Sequence, residues 1–194
     1  WERFFVPGGK SSAEPFDLVS QPTLNPPPPF VELSVLAGFI EVYLAKEEHS
    51  GTVGIQFHDD AASPLLPTVY GALMANVDVI LTTSSGVPAL ISALERLAGP
   101  AHATPVGSPT HRTRDESCGF DPESLGFGNP SPIRWPRILI RLAGAGMTGV
   151  GKDWWLESVH GLITEAVGDC VDDLAPALRT SGLPVWMGGA NALK

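Results

Sequence analysis

Five short apolar runs, each about the length of one β-strand, constrain this fold more than any other feature of the sequence. They are rich in β-branched residues, and turn-forming residues bound them. Such runs are typical of strands that are buried on both faces of a parallel sheet. The runs cover residues 53–57, 77–81, 138–141, 161–164 and 184–187.

The spacing of these runs predicts a parallel α/β arrangement. Neighbouring runs are centred about 23 residues apart, with one longer step between the second and the third. A step of that size is the length of one strand followed by one helix. Segments 65–75 and 88–97 have helical periodicity, and Pro88 suits the first turn of a helix. The order of elements is therefore β-α-β-α where the runs are closely spaced.

The rest of the chain divides into a lead-in, a fold and an insertion. Residues 1–30 are Pro-rich and are interpreted as a lead-in to one α/β unit over residues 31–194. Within that unit, residues 31–37 predict a further strand and residues 38–49 predict a helix. The long step, at about 98–136, is polar, and we interpret it as an insertion that covers the sheet.

Two architectures share this alternation of strands and helices. One is an open doubly wound sheet, and the other is part of a (β/α)8 TIM barrel. The sequence provides at most six strands. A complete barrel needs eight strands and typically about 250 residues. A barrel would therefore be partial or degenerate, or would take strands from a partner.

Charge and composition exclude several classes of function. The chain has 12 Lys+Arg against 21 Asp+Glu, a formal net charge of -9, and no basic cluster, so a nucleic-acid partner is disfavoured. No run approaches the roughly 18 consecutive apolar residues of a membrane-spanning helix, so we expect no transmembrane segment. Cys118 and Cys170 lie far apart without metal-ligand spacing, which predicts no metal site and fits a reducing compartment.

The first residue bears on the compartment. The sequence begins with Trp1 rather than Met, so we expect that an N-terminal segment was removed or lies outside the sequence. Removal would fit an organelle such as a mitochondrion or a plastid. We therefore expect an intracellular protein, cytoplasmic or organellar.

A glycine-rich string at residues 144–152, GAGMTGVGK, directly follows the third predicted strand. Gly144, Gly146 and Gly149 match the G-x-G-x-x-G template, and Glu165 stands where a ribose-binding acid is expected. An NAD(P)-binding oxidoreductase is therefore one alternative. A glycine-rich loop without a nucleotide is favoured, because a genuine fingerprint normally opens the first βαβ unit.

Several strings, in the same order along the chain, resemble the nitronate monooxygenase family, formerly called 2-nitropropane dioxygenases. The resemblance is greatest to the branch near the enoyl reductases of polyunsaturated fatty acid synthases. The strings are RFFVPGG at 3–9, VELSVLAGFIEVYLAKEEH at 31–49, GTVGIQF at 51–57, LPTVYGALMANVDVIL at 66–81, GVP at 86–88, WPRILI at 135–140, VHGLITEA at 159–166 and SGLPVWMGGA at 181–190.

The resemblance implies an FMN-dependent (β/α)8 barrel that oxidises nitronates or reduces enoyl thioesters. In the family the flavin is held at the carboxyl ends of the strands. Gln56 stands where members usually have an Asn, and Lys46, Glu47 and His49 match the family string AKEGH. The positions that the resemblance assigns to flavin binding are Gln56, Thr82, Ser85, Glu165, Gly188 and Gly189, the last two as the start of the phosphate cradle.

Departures from the family leave two functions open. Members carry a Gly-Gly-His-Asn loop after the strand that ends at Glu165, whereas here Ala166 runs directly into Val167. The family's first strand and last two βα units also have no counterpart, so we assign no catalytic residue. The alternatives are a divergent FMN-dependent oxidoreductase and a catalytically inactive structural subunit of a larger assembly. A protein partner or a second copy is expected to cover the open strand edges.

Overall fold

The fold is described from a computed structural model of the 194-residue chain. The structure describes residues 7–15, 26–57, 65–98, 120–123, 126, 133–142, 157–165 and 183–188.

A parallel sheet of five strands forms the centre of the described chain. The strands lie in the order β1-β2-β3-β4-β5, and every neighbouring pair is parallel. The order contains no reversal, whereas a doubly wound sheet reverses its order at a switch point. The elements are α1 Pro28–Ala45, β1 Gly54–Gln56, α2 Leu65–Met74, β2 Val79–Thr83, α3 Val87–Ala98, β3 Arg137–Leu142, β4 Gly161–Glu165 and β5 Val185–Gly188.

All five strands overlap the apolar runs, although their bounds differ, and every neighbouring pair is parallel, so the prediction of a parallel α/β fold is confirmed. One face of the sheet packs against α2 and α3 and holds fully buried side chains such as Ile80, Ile138 and Leu162. Helices α2 and α3 contribute Val69, Leu90 and other aliphatic side chains to the same core. Burial of this apolar surface, at about 25 cal/mol per Å², is the main force that holds the helices to the sheet.

The strand predicted at residues 31–37 is wrong. These residues belong to α1, an 18-residue helix that begins at Pro28, inside the segment interpreted as a lead-in. Two prolines in the first turn cost no hydrogen bond and favour helical backbone angles. The buried residues of α1 are Val31, Val35, Gly38 and Val42, at spacings of three and four that place them on one side of a helix. Packing of this side onto α2 therefore outweighs the β-propensity of the valines.

Glycines allow α1 and α2 to approach each other closely. A Cβ atom on Gly71 of α2 would overlap the backbone carbonyl oxygen of Val35. A Cβ atom on Gly38 of α1 would likewise overlap the carbonyl oxygen of Thr68. Each helix thus presents a glycine where the other helix presents backbone, and neither position has room for a side chain.

Part of the predicted insertion packs against the helices. Phe120 is buried among Val31, Val35, Leu66 and Tyr70, and its ring lies edge-on to that of Tyr70 with 5.5 Å between centroids. This contact lies on the helix side of the sheet. The rest of the insertion, except for residues 121–123, 126 and 133–136, lies outside the described residues.

Helix α1 is long and apolar enough, by length and composition alone, to cross a membrane. Its 18 residues have a mean hydropathy of 1.4, and 22% of them are buried. Glu32 and Glu41 interrupt its apolar sequence. Because a core helix of a soluble protein passes the same test, α1 is weak evidence for a transmembrane segment.

Candidate functional site

The carboxyl ends of the five strands lie together at one edge of the sheet, because all the strands are parallel. Ligands of parallel α/β proteins bind at this edge. Strand β1 ends at Gln56 and β2 at Thr83, while β4 ends at Glu165 and β5 at Gly188. The candidate site is therefore built from the last residues of these strands and the turns that follow them.

The strand register separates these residues into two faces. Side chains alternate along each strand, and directly paired residues share a face. Ile55, Ile80 and Ile138 mark the face that the helices cover. We call the opposite face the far face. Among the strand residues whose side chains the structure describes, those on the far face are Gly54, Gln56, Val79, Leu81, Thr83, Arg137, Leu139, Arg141, Gly161 and Ile163.

Gln56 lies on the far face at the carboxyl end of β1. Its Cα atom pairs with that of Leu81 in β2, and its side chain is exposed. The next residue, Phe57, points into the core, and its backbone N–H donates to the carbonyl oxygen of Leu81 over 2.8 Å. The amide of Gln56 is thus held on an ordered strand end and is accessible to a ligand.

Thr82 does not join Gln56. It is 3% exposed and pairs with Ile140, so it lies on the helix-covered face. Thr82, a position that the resemblance assigns to flavin binding, therefore lies on the face opposite Gln56, because successive residues of a strand point to opposite faces. Thr83, which the sequence analysis did not assign, takes the place on the far face. Leu81, the partner of Gln56, lies on the far face, and alternation along β2 places Thr83, two residues later, on that same face.

Ser85 is exposed in the turn between β2 and α3. Its Oγ lies 3.1 Å from Oγ1 of Thr83, so one hydroxyl donates to the other. The Gly86 backbone N–H donates to the carbonyl oxygen of Thr83 over 3.1 Å, which closes the turn. Two hydroxyls are thereby held side by side above the end of β2.

Glu165 and Gly188 are brought together by the register of β4 and β5, in which their Cα atoms pair. The assignment of both to one site is therefore compatible with the backbone. Gly189 lies outside the described residues, as do residues 144–152 with Gly144, Gly146 and Gly149. Of the expected dinucleotide-binding set, the described chain contains only Glu165.

Lys46 lies at the opposite edge of the sheet. Its Nζ forms an ion pair with the Asp78 carboxylate over 3.0 Å and donates to the carbonyl oxygen of Asn76. Asp78 also accepts from the Val53 backbone N–H over 3.1 Å. This backbone hydrogen bond, together with Lys46 and Arg134, lowers the pKa of the Asp78 carboxyl. Lys46, in the string AKEEH at residues 45–49, thus stabilises the fold at the amino edge of the sheet, away from the candidate site.

His160 is a second group whose pKa the fold shifts. Its Nδ1 accepts from the Ile138 backbone N–H over 3.2 Å, between β3 and the start of β4. Burial, with a smaller contribution from Arg137, lowers the pKa of the imidazole from 6.5. The neutral form is therefore the one that the fold favours.

This shift predicts a pH dependence of stability. The folded chain holds the His160 proton less tightly than the unfolded chain does. The contribution of the neutral imidazole to the free energy of unfolding is therefore complete above pH 6.5, and it is lost as the pH falls through the folded pKa. Urea denaturation at a series of pH values measures the effect. In His160→Asn, the side-chain oxygen can still accept the hydrogen bond from the Ile138 N–H. The pH dependence of the free energy of unfolding below pH 6.5 should therefore weaken in this variant. An unchanged pH profile would contradict the role of His160.

Within the described part of the chain, no group of three or more His, Cys, Asp or Glu side chains could hold a metal ion. Comparisons with known proteins found no matching family model, no matching curated protein and no matching solved structure.

Proposed function

We propose that this chain is a divergent, FMN-binding oxidoreductase of the nitronate monooxygenase family, built as part of a (β/α)8 barrel. The observation that carries the proposal is the arrangement of polar side chains at the carboxyl edge of a parallel sheet whose strands follow in chain order. Its reaction would be the oxidation of a nitronate or the reduction of an enoyl thioester.

Strand order supports the barrel over a doubly wound sheet. In a (β/α)8 barrel each strand lies beside its neighbours in the chain, as β1 to β5 do. Helices α2 and α3 follow β1 and β2 and cover the same face of the sheet. The far face would then form the barrel interior, and its carboxyl end would be the mouth where barrel enzymes bind their ligands.

The donors at this edge fit the parts of FMN. The amide of Gln56 can both donate to and accept from the pyrimidine edge of the flavin ring. Leu81, Leu139 and Ile163 give the far face an apolar surface for the ring. The hydroxyls of Thr83 and Ser85 offer further donors. Gly188, with Gly189 after it, would leave backbone N–H groups accessible to the phosphate. When bound, FMN would supply hydride or electron transfer, and the chain would supply binding and orientation.

Gln56 provides a direct test of this placement. We expect Gln56→Leu to raise the dissociation constant for FMN about tenfold, because one paired amide is lost while the size of the side chain is kept. Quenching of flavin fluorescence during titration measures the constant. Thr52→Val, an exposed change at the amino side of β1, should leave it unchanged. Equal effects of the two substitutions would remove Gln56 from the site, and absence of FMN binding to the unsubstituted chain would overturn the proposed function.

A catalytically inactive subunit is the second candidate, favoured by apolar surface on α1. Tyr43 and Leu44 are 54% and 56% exposed, the large apolar side chains that are most open in the described chain. Within the described residues β1 pairs with β2 alone, which leaves its other edge available to a partner. Such a subunit would be colourless after purification from its native source and would co-purify with a stoichiometric protein partner.

A further inference from the structure

Arg141 occupies an unusual position in the sheet. It lies on the far face near the carboxyl end of β3, and its Cα atom pairs with Thr83 on one side and Ile163 on the other. The residue is only partly exposed. Neither the family resemblance nor the proposed flavin contacts assign a function to it.

Among the described side chains of the far face, those nearest to Arg141 on its amino side are apolar, whereas Thr83 lies directly beside it. Leu139 precedes it on the same face of β3, and Leu81 and Gly161 flank Leu139 in the neighbouring strands. Withdrawing a guanidinium group from water is unfavourable unless anionic or polar groups meet it, and Arg141 already takes part in an interaction within the chain. The chain as a whole carries a net charge of -9, so a cation at this edge is an exception to its overall composition.

Arg137 provides the contrast. It lies on the same strand and the same face, four residues earlier, at the amino edge of the sheet. Arg137 is exposed, so water can solvate its charge. The two arginines of β3 thus differ in their position relative to the carboxyl edge, where ligands of parallel sheets bind.

We propose that Arg141 and the adjacent Thr83 form a binding site for an oxyanion at the carboxyl edge of the sheet. The ligand class is a group with two or more equivalent oxygens: a carboxylate, a nitronate or a phosphate. The guanidinium fork can donate two parallel hydrogen bonds to such a group, and the Thr83 hydroxyl can donate a third. Both residues already take part in interactions within the chain, so the anion adds to these or replaces them. The proposal requires no flavin and stands independently of the proposed function.

Small anions provide the test. We expect inorganic phosphate, acetate or propane-2-nitronate to bind the full chain saturably, as followed by NMR chemical shifts, and Arg141→Gln to weaken the best of them at least tenfold. Arg137→Gln is the matched control and should bind like the unsubstituted chain. Arg141→Lys keeps the charge without the fork, so it should bind with intermediate affinity, and it serves as the test variant if the glutamine variant does not fold.

Flavin titrations identify the source of the anion. If Arg141 holds the cofactor's phosphate, Arg141→Gln weakens FMN and leaves riboflavin unchanged. If it holds an anionic substrate, both flavins bind as before and only the small anions are affected. Either pattern supports the site. Equal anion affinities of the Arg141 and Arg137 variants, or no saturable binding to the unsubstituted chain, would overturn it. Failure of FMN to bind would remove the flavin function alone.

Discussion

Gly71→Ala is expected to lower the free energy of unfolding by about 3 kcal/mol, at the upper end of the usual range for overpacked sites. The new Cβ atom would overlap the Val35 carbonyl oxygen and press on the backbone nitrogen of Phe39. These are backbone atoms of α1, so no change of rotamer can relieve the overlap. The two helices must separate, which exposes apolar surface between them.

Helix propensity predicts the opposite sign for the same substitution. Alanine favours a helix interior over glycine by about 1 kcal/mol. Urea denaturation therefore decides between packing and propensity. Gly54→Ala is the control, because its Cβ atom would meet its nearest neighbours at 3.4 Å, an ordinary contact. A Gly71→Ala variant as stable as the unsubstituted chain would show that α1 and α2 are not packed as closely as described.

Asp78→Ala is expected to cost about 2–3 kcal/mol of stability, because hydrogen bonds to charged groups contribute about 1.5–3 kcal/mol. The carboxylate is 20% exposed and joins three parts of the chain: the Val53 N–H before β1, Lys46 after α1, and Arg134 before β3. Removing it leaves the Val53 N–H and the Lys46 ammonium without this partner. The measurement is again urea denaturation.

Arg134→Ala separates the contribution of Arg134 from those of Lys46 and the Val53 N–H, the other partners of the Asp78 carboxylate. Arg134 is 73% exposed and 3.5 Å from the carboxylate, so its loss should change stability by less than about 0.5 kcal/mol. The pKa of Asp78 is lowered from 3.8, so its stabilisation is present above that pH and is lost as the pH falls through the folded pKa. An Asp78→Ala variant no less stable than Arg134→Ala would contradict the structural role of the carboxylate.

The strands could be predicted from the sequence because each is a short apolar run between turn residues, and burial of such runs has few alternatives. Helix α1 could not be predicted correctly at its start. Val31 and Val35 favour strands locally, and only the shape of α2, with Gly71 facing Val35, selects the helix. Tertiary packing overrides local propensity where two glycines let helices meet.

The sequence predicts a candidate site at the carboxyl ends of the strands, but it does not predict which side chains share a face there. Runs of strand residues locate the carboxyl edge, whereas the face of each side chain depends on the register between strands. Thr82, which the resemblance assigns to flavin binding, is buried on the helix side, whereas Thr83 lies on the far face and is not among the assigned positions. Lys46 was matched to a family string, but its partner Asp78 lies about 30 residues away in the chain, so only the fold reveals their ion pair.

The visible absorption spectrum of the protein isolated from its native source tests the central claim most directly. An FMN-binding barrel should carry the absorption bands of oxidised flavin at close to one FMN per chain, and they should bleach on reduction and return in air. A colourless chain that takes up no FMN when it is added, and that elutes with a stoichiometric protein partner, would contradict the flavin account and leave the structural subunit in its place.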